Sequence, residues 1–223
     1  MREGTHGGRG PLPLASEGIP FLLLSLGATL AAAVYGQHGL TIPLLLLTLF
    51  VAYFFRDPDR VASPGPGLVA SPADGKVIAV GVVNEPEFQL GSRHRISIFM
   101  SLFDVHVNRV PVDGTVRDIR YHRGKFLAAY DEDASELNER NAVLFETGDG
   151  QKVVVVQVAG LVARRIRFYP VLGALVLKGQ RMGIIRFGSR CDVYLPLDAQ
   201  LGVKLGDVVR GGESVLACLK GAE

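Results

Sequence analysis

The apolar positions of this chain change their spacing once, near residue 56. Before that point they run almost without interruption. Ile19 to Tyr35 and Leu40 to Phe55 are two stretches without a charged residue, separated by Gly36-Gln37-His38-Gly39. Neither leaves a polar face for water, and each falls a little short of the ~20 residues that a perpendicular membrane-crossing helix needs. The pattern predicts a hydrophobic helical hairpin over 19–55 that dips into or just crosses a bilayer, with a pair of buried core helices as the alternative. A cleaved signal peptide fits poorly, because removing the first stretch leaves the second behind as an anchor. Residues 1–18, rich in Gly, Pro and charge, read as a flexible leader. Arg2 and Arg9 before the hairpin and Arg56 and Arg60 after it put both ends on the cytoplasmic face of a cell membrane by the positive-inside rule.

After residue 56 the pattern shortens. Pro58, Pro64, Pro66 and Pro72, with Gly65 and Gly67, form a turn-rich connector. Beyond it the apolar residues recur at every second position. Lys76 to Val83, Arg95 to Met100, Thr115 to Tyr121, Val153 to Val158, Arg165 to Val171 and Cys191 to Leu195 all read as short strands. Turn signals punctuate them at Asp113-Gly114, Gly148-Asp149-Gly150 and Gly211-Gly212. Only Glu132 to Asn141 looks locally helical. Residues 56–223 are therefore expected to form a mainly β (α+β) domain, a barrel or sandwich.

Composition narrows the class. A chain of 223 residues holds one moderate domain plus an accessory segment. A net charge of +2 is too small to argue for nucleic acid, yet compatible with weak attraction to an anionic membrane surface. Cys191 and Cys218 form no CxxC spacing, which fits two reduced, inert thiols in a cytosolic setting. His6, His38, His94, His106 and His122 are scattered without ligand spacing, so no metal is expected.

The chemistry sits in Gly183-Ile184-Ile185-Arg186-Phe187-Gly188-Ser189-Arg190-Cys191-Asp192-Val193-Tyr194-Leu195-Pro196. A Gly-Ser pair between two apolar strands is ordinarily a turn. Gly before Ser is also what intramolecular acyl migration requires, because glycine reaches strained backbone conformations and lets a hydroxyl approach its carbonyl. Attack of Ser189 Oγ on the Gly188 carbonyl exchanges amide for ester. Elimination across the Ser189 Cα–Cβ bond then splits the chain and leaves dehydroalanine, which hydrolyses to a pyruvoyl group and ammonia.

These residues resemble the self-cleavage region of the short phosphatidylserine decarboxylases. Further stretches match that family in order: Phe55-Arg56-Asp57-Pro58, Ser71-Pro72-Ala73-Asp74-Gly75-Lys76-Val77, and Phe103-Asp104-Val105-His106-Val107-Asn108-Arg109-Val110-Pro111. Tyr121 to Phe126 and Asn138 to Asn141 also look like it, so the similarity covers essentially everything from residue 19 onward. The resemblance implies a precursor that cuts itself between Gly188 and Ser189 into chains of residues 1–188 and 189–223, which remain together as a heterodimer. It implies a pyruvoyl cofactor formed from Ser189, a Schiff base with the amine of a phospholipid substrate, and conversion of phosphatidylserine to phosphatidylethanolamine. Asp74 is implied as a group that orients or activates the base for self-cleavage, and His106 as the proton carrier in decarboxylation, which suits an imidazole.

One position departs from the long-form pattern. The second histidine of H-x-x-H-x-P is Arg109 here, and arginine is no base at neutral pH. Either His106 serves both steps, or His122 or Asp74 takes the base role. Arg109 and Arg190 are candidate substrate-binding residues for phosphate or carboxylate. Arg164, Arg165, Arg167, Lys178, Arg181 and Arg186 add positive charge nearby, each also readable as a solvated strand face. The tail Val203 to Ala217 is similar to the hairpin of biotinyl and lipoyl carrier domains. It implies a hammerhead-like C-terminal part and supplies a rival, a non-catalytic membrane-tethered adaptor, although no lysine stands in the modified position. A decarboxylase of an ether-linked serine lipid is the other alternative, and assembly beyond the heterodimer stays open.

Overall fold

The charge-free stretches become two antiparallel helices. In the computed structural model, which describes residues 13–124, 138–160, 166–186 and 188–221, α1 (Ile19–Val34) and α2 (His38–Phe54) belong to a first unit, Gly8–Asp59. Pro20 sits in the first turn of α1, where its missing N–H costs nothing, and Gly36 with φ +67° reverses the chain between the helices. Buried polar groups inside the hairpin satisfy one another. The Thr29 and Thr48 hydroxyls meet at 3.1 Å, and they also reach the carbonyls of Ser25 (2.8 Å) and Leu44 (2.9 Å) one turn back. At the open end Ala15 N–H donates to the Phe55 carbonyl (2.8 Å) and Phe21 stacks on Phe55. The outer surface is apolar: Leu24 is 75% exposed and Leu23 64%. Ser16–Val34 is long and apolar enough to cross a membrane by length and composition, whereas His38–Phe54 is shorter.

The second unit, Arg60–Glu223, is built from strands. In chain order they are β1 (Leu68–Ala70), β2 (Gly75–Asn84), β3 (Ser92–Met100), β4 (Val107–Arg109), β5 (Gly114–His122), β6 (Arg140–Glu146), β7 (Lys152–Ala159), β8 (Ile166–Phe168), β9 (Leu175–Val176), β10 (Arg181–Ile185), β11 (Ser189–Leu195), β12 (Gln200–Leu201), β13 (Val208–Val209) and β14 (Val215–Cys218). Among the described residues they form three antiparallel sheets. The large, curled one runs β13-β2-β3-β11-β7-β6-β5-β9, and the small ones are β4-β10-β8 and β1-β14-β12. The protein is thus mainly β, with an apolar helical hairpin ahead of the strands in the chain and short strands toward the C-terminus.

The core lies on one face of the large sheet, where Ile96, Ile98 and Met100 of β3, Val153 and Val155 of β7, and Cys191, Val193 and Leu195 of β11 are buried together. Strand β11 runs between β3 and β7 in the middle of the sheet and is buried along its whole length. The helical reading of Glu132 to Asn141 needs correcting at its end, because β6 begins at Arg140; residues 132–137 lie outside the described residues. Strand β6 carries Asn141 to Phe145 buried on both faces, so it lacks the alternation that marks a half-wet strand.

Glycine is indispensable where the Ser71–Asp74 turn enters β2. Gly75 has φ +145°, and a Cβ there would stand 2.1 Å from the Phe99 carbonyl oxygen. Gly75→Ala is therefore expected to lower stability by more than about 1 kcal/mol, read as a fall in the urea midpoint. An unchanged midpoint would mean that the β2–β3 pairing opens at this point without cost.

Candidate active site

Ser189 opens β11. It faces the core and is fully buried, opposite Met100 of β3 and Ala159 of β7. Its hydroxyl donates to Met100 Sδ at 3.3 Å. A thioether is a weak acceptor, so little is lost when the hydroxyl turns elsewhere. Gly188, one residue before, has φ +60° and open space where a side chain would stand. Left-handed backbone at this point is unfavourable for other residues, so the sequence places glycine where the chain must turn sharply ahead of a buried serine.

Three buried amides back the same sulfur. Asn108 of β4 donates through Nδ2 to Met100 Sδ (3.6 Å) and accepts from Gln157 Nε2 at 2.8 Å. Gln157 in turn accepts from Asn141 Nδ2 at 3.1 Å. Asn108 and Gln157 are fully buried and Asn141 is 3% exposed. None of the three was singled out from sequence. The signal that marks one of them is Gln157, a polar residue inside Val153-Val154-Val155-Val156-Gln157-Val158.

The turn after β3 delivers His106. Ser101 donates to Asp104 Oδ2 from its backbone N–H (2.8 Å) and its hydroxyl (2.7 Å). The Asp104 carbonyl then lies 2.9 Å from His106 Nδ1. A carbonyl only accepts, so Nδ1 donates this bond, which in a neutral imidazole puts the lone pair on Nε2. The imidazole is fully buried, and the His106 carbonyl accepts from Ile185 N–H (3.4 Å), three residues before Gly188. Strand alternation puts His106 and Asn108 on one side of this segment and Arg109 on the other.

Arg109 instead joins Asp74 in a second corner. Its N–H donates to the Pro72 carbonyl (2.8 Å), its guanidinium reaches the Gly179 carbonyl (3.4 Å), and its stem passes Gly212. Asp74 accepts from Gly211 N–H at 2.6 Å and pairs with Arg60 at 2.9 Å, and Arg60 also bridges to Glu213. The structure thus brings Ser189, Gly188 and the segment carrying His106 into one neighbourhood, and Asp74 and Arg109 into an adjoining one.

Arg190 lies on the opposite face of β11 from Ser189. It forms a two-pronged ion pair with Asp192, Nε–Oδ1 3.0 Å and Nη2–Oδ2 3.2 Å, with both side chains buried. Burial, reinforced by the Asp192 carboxylate, pushes the pKa values of the Cys191 thiol and the Tyr194 hydroxyl well above their ordinary ranges. Tyr194 borders a cleft of about 760 Å³ lined also by Arg95, Arg120, His122, Arg140 and Glu87. There His122 Nε2 is 2.8 Å from Glu87 Oε2 and Arg140 Nε is 2.6 Å from Oε1. His122 stands three strands away from β11, so the cleft and its histidine are separate from the Ser189 neighbourhood. Among the described residues no group of three His, Cys, Asp or Glu side chains is arranged to hold a metal ion; Arg164 and Arg165 fall outside those residues.

Known proteins resemble this chain over most of its length. The family described as phosphatidylserine decarboxylase matches residues 47–217. The chain is 48% identical to the phosphatidylserine decarboxylase proenzyme of Syntrophotalea carbinolica, over 93% of this chain and 97% of the relative. It is 48% identical to that of Geotalea uraniireducens, with the same shares covered. Against that of Paramagnetospirillum magneticum the identity is 50%, over 95% of this chain and 89% of the relative.

Proposed function

The chain belongs to the phosphatidylserine decarboxylase family and is a carboxy-lyase, and we propose that it converts phosphatidylserine to phosphatidylethanolamine after cutting itself between Gly188 and Ser189. A non-catalytic adaptor gives way to an enzyme. The observation that carries the self-cleavage is the pairing of a fully buried Ser189, whose hydroxyl donates to a thioether, with a preceding glycine at positive φ.

The step balances with one water taken up and one ammonia released. Ser189 Oγ loses its proton and adds to the Gly188 carbonyl carbon; the C–N bond breaks and the nitrogen takes a proton, giving an ester. A base then removes the Cα proton of residue 189, the Cβ–Oγ bond breaks, and Gly188 leaves as a carboxylate. The enamine left on residue 189 takes up water and releases ammonia as the ketone forms. We assign proton transfer to His106. In support, its Nδ1–H is committed to a carbonyl so that Nε2 accepts, whereas His122 belongs to the separate cleft and the Asp74 carboxylate is engaged by Arg60 and Gly211. Asp74 then acts by fixing the corner that holds Arg109. Arg109 is the arginine we assign to a substrate anion, because the Arg190 guanidinium is taken by Asp192.

The residues fit the pyruvoyl group implied by the family, since it arises from Ser189 itself. Formed at residue 189, it would supply a ketone for Schiff-base chemistry with a substrate amine and a sink for the electron pair of the lost carboxylate. In this reading residues 1–18 are a leader, 19–55 hold the protein to the cytoplasmic face of the cell membrane, and 56–223 are the catalytic domain. The exposed leucines of α1 and α2 support the membrane contact. Intact mass measurement tests the proposal: the 189–223 chain should be lighter by one ammonia than the same segment beginning with serine, and borohydride with phosphatidylserine should couple lipid to it. A single unbroken chain of full mass would sink the reading.

A further inference from the structure

The amide chain behind Met100 has no part in the chemistry set out so far. It runs in one direction from Asn141 to Met100. Asn141 donates to Gln157 Oε1, which leaves Gln157 Nε2 to donate; Gln157 Nε2 donates to Asn108 Oδ1, which turns Asn108 Nδ2 toward Met100 Sδ. Ser189 Oγ stands 3.3 Å from that sulfur and Asn108 Nδ2 3.6 Å from it. The buried amide donor and the hydroxyl therefore share one acceptor, a thioether weak enough to give up. In this buried setting, three successive polar side chains cost folding free energy unless each is satisfied. Asn108 directs its amide to the weakest acceptor in the chain, the same sulfur that the Ser189 hydroxyl meets.

We infer that Asn108 is a catalytic residue of self-cleavage: its Nδ2–H moves from Met100 Sδ to Ser189 Oγ as that oxygen becomes part of the departing Gly188 carboxylate. The inference rests on the proposed cleavage reading. In the elimination the base takes the Cα proton, the Cβ–Oγ electron pair goes to oxygen, and negative charge grows on an atom with almost no water around it. A fixed N–H donor at that place lowers the barrier because it needs no reorganisation when the charge appears. Gln157 and Asn141 are positioning residues. They act through Asn108 by denying its amide the flipped orientation that would present Oδ1 to the leaving oxygen.

The test uses the full-length chain, with cleavage followed over time on denaturing gels. Asn108→Asp keeps the shape and the bond from Gln157 Nε2 but replaces the donor with a carboxylate oxygen; Asn108→Ala removes it. Both are expected to slow cleavage by about 10²-fold. Because the stall falls after the acyl shift, mild hydroxylamine should split the accumulated precursor at residues 188 and 189 and yield a small chain that begins with serine. Gln157→Glu should show the same hydroxylamine-sensitive stall to a smaller degree, about tenfold, with its urea midpoint as the check on folding. Cleavage of folded Asn108→Asp at the wild-type rate overturns the inference, and so does a stalled precursor that hydroxylamine leaves intact. If wild-type protein itself stays whole, the cleavage reading fails instead, and the two failures are told apart on the same gel.

Discussion

Ser189→Ala is expected to leave one uncut polypeptide with no measurable decarboxylation. The exchange removes a single oxygen from a fully buried position whose hydrogen bond goes to a thioether at 3.3 Å. Losing so weak a bond changes stability by no more than about 1 kcal/mol, and alanine fits the same strand. The folded protein should therefore persist while both chemical events vanish. Alanine brings no oxygen to attack the Gly188 carbonyl and no leaving group for elimination. Intact mass should give only the full chain, and incubation with borohydride and phosphatidylserine should add nothing to it. A variant that still separates into two fragments would show that the scission is proteolytic.

Asp192→Ala should do the reverse, removing stability first. Asp192 is buried in the central strand, and it holds Arg190 through two short contacts on the face away from the serine. Removing one member of a buried pair leaves the other charge dehydrated, at a cost of about 3–5 kcal/mol. The loss is a large part of the 5–15 kcal/mol that holds a typical domain folded. Urea unfolding of the Ser189→Ala background, where cutting cannot complicate the transition, measures it directly. Replacing both members together, Arg190→Met with Asp192→Leu, should recover most of the loss, since apolar side chains of similar size need no partner. A single-variant loss below about 1 kcal/mol would mean that water reaches the pair.

The two predictions separate neighbouring residues that look alike in sequence. Gly188-Ser189-Arg190 reads as one motif, yet alternation along β11 sends Ser189 into the core and Arg190 to the other side of the sheet. A candidate list made from adjacency tends to merge them. What the sequence did carry is what local physics carries: the charge-free runs gave the hairpin, and period-two runs located β2, β3, β5, β7 and β11 to within a few residues. Strand β6 was missed because Ala142, Val143, Leu144 and Phe145 are buried on both faces, leaving no alternation to read. The amide chain was missed for another reason. Asn108 and Gln157 are 49 residues apart and Gln157 and Asn141 are 16 apart; Gln157 and Asn141 meet across the β6–β7 register, and Asn108 joins them from β4 of another sheet. Only the lone glutamine among valines hinted that something inside needed a polar partner.

The place of β11 in the sheet has a mechanical consequence. A break before Ser189 puts the new terminus at the first residue of a strand that is hydrogen-bonded on both edges, to β3 and to β7. The fragment beyond the break also contributes β13 and β14, which pair with β2 and β1. The shorter piece is a keystone: pulling it out would undo both edges of the centre at once and strip the wall behind it. A nicked molecule should accordingly melt as one body, and only denaturant should let its pieces drift apart.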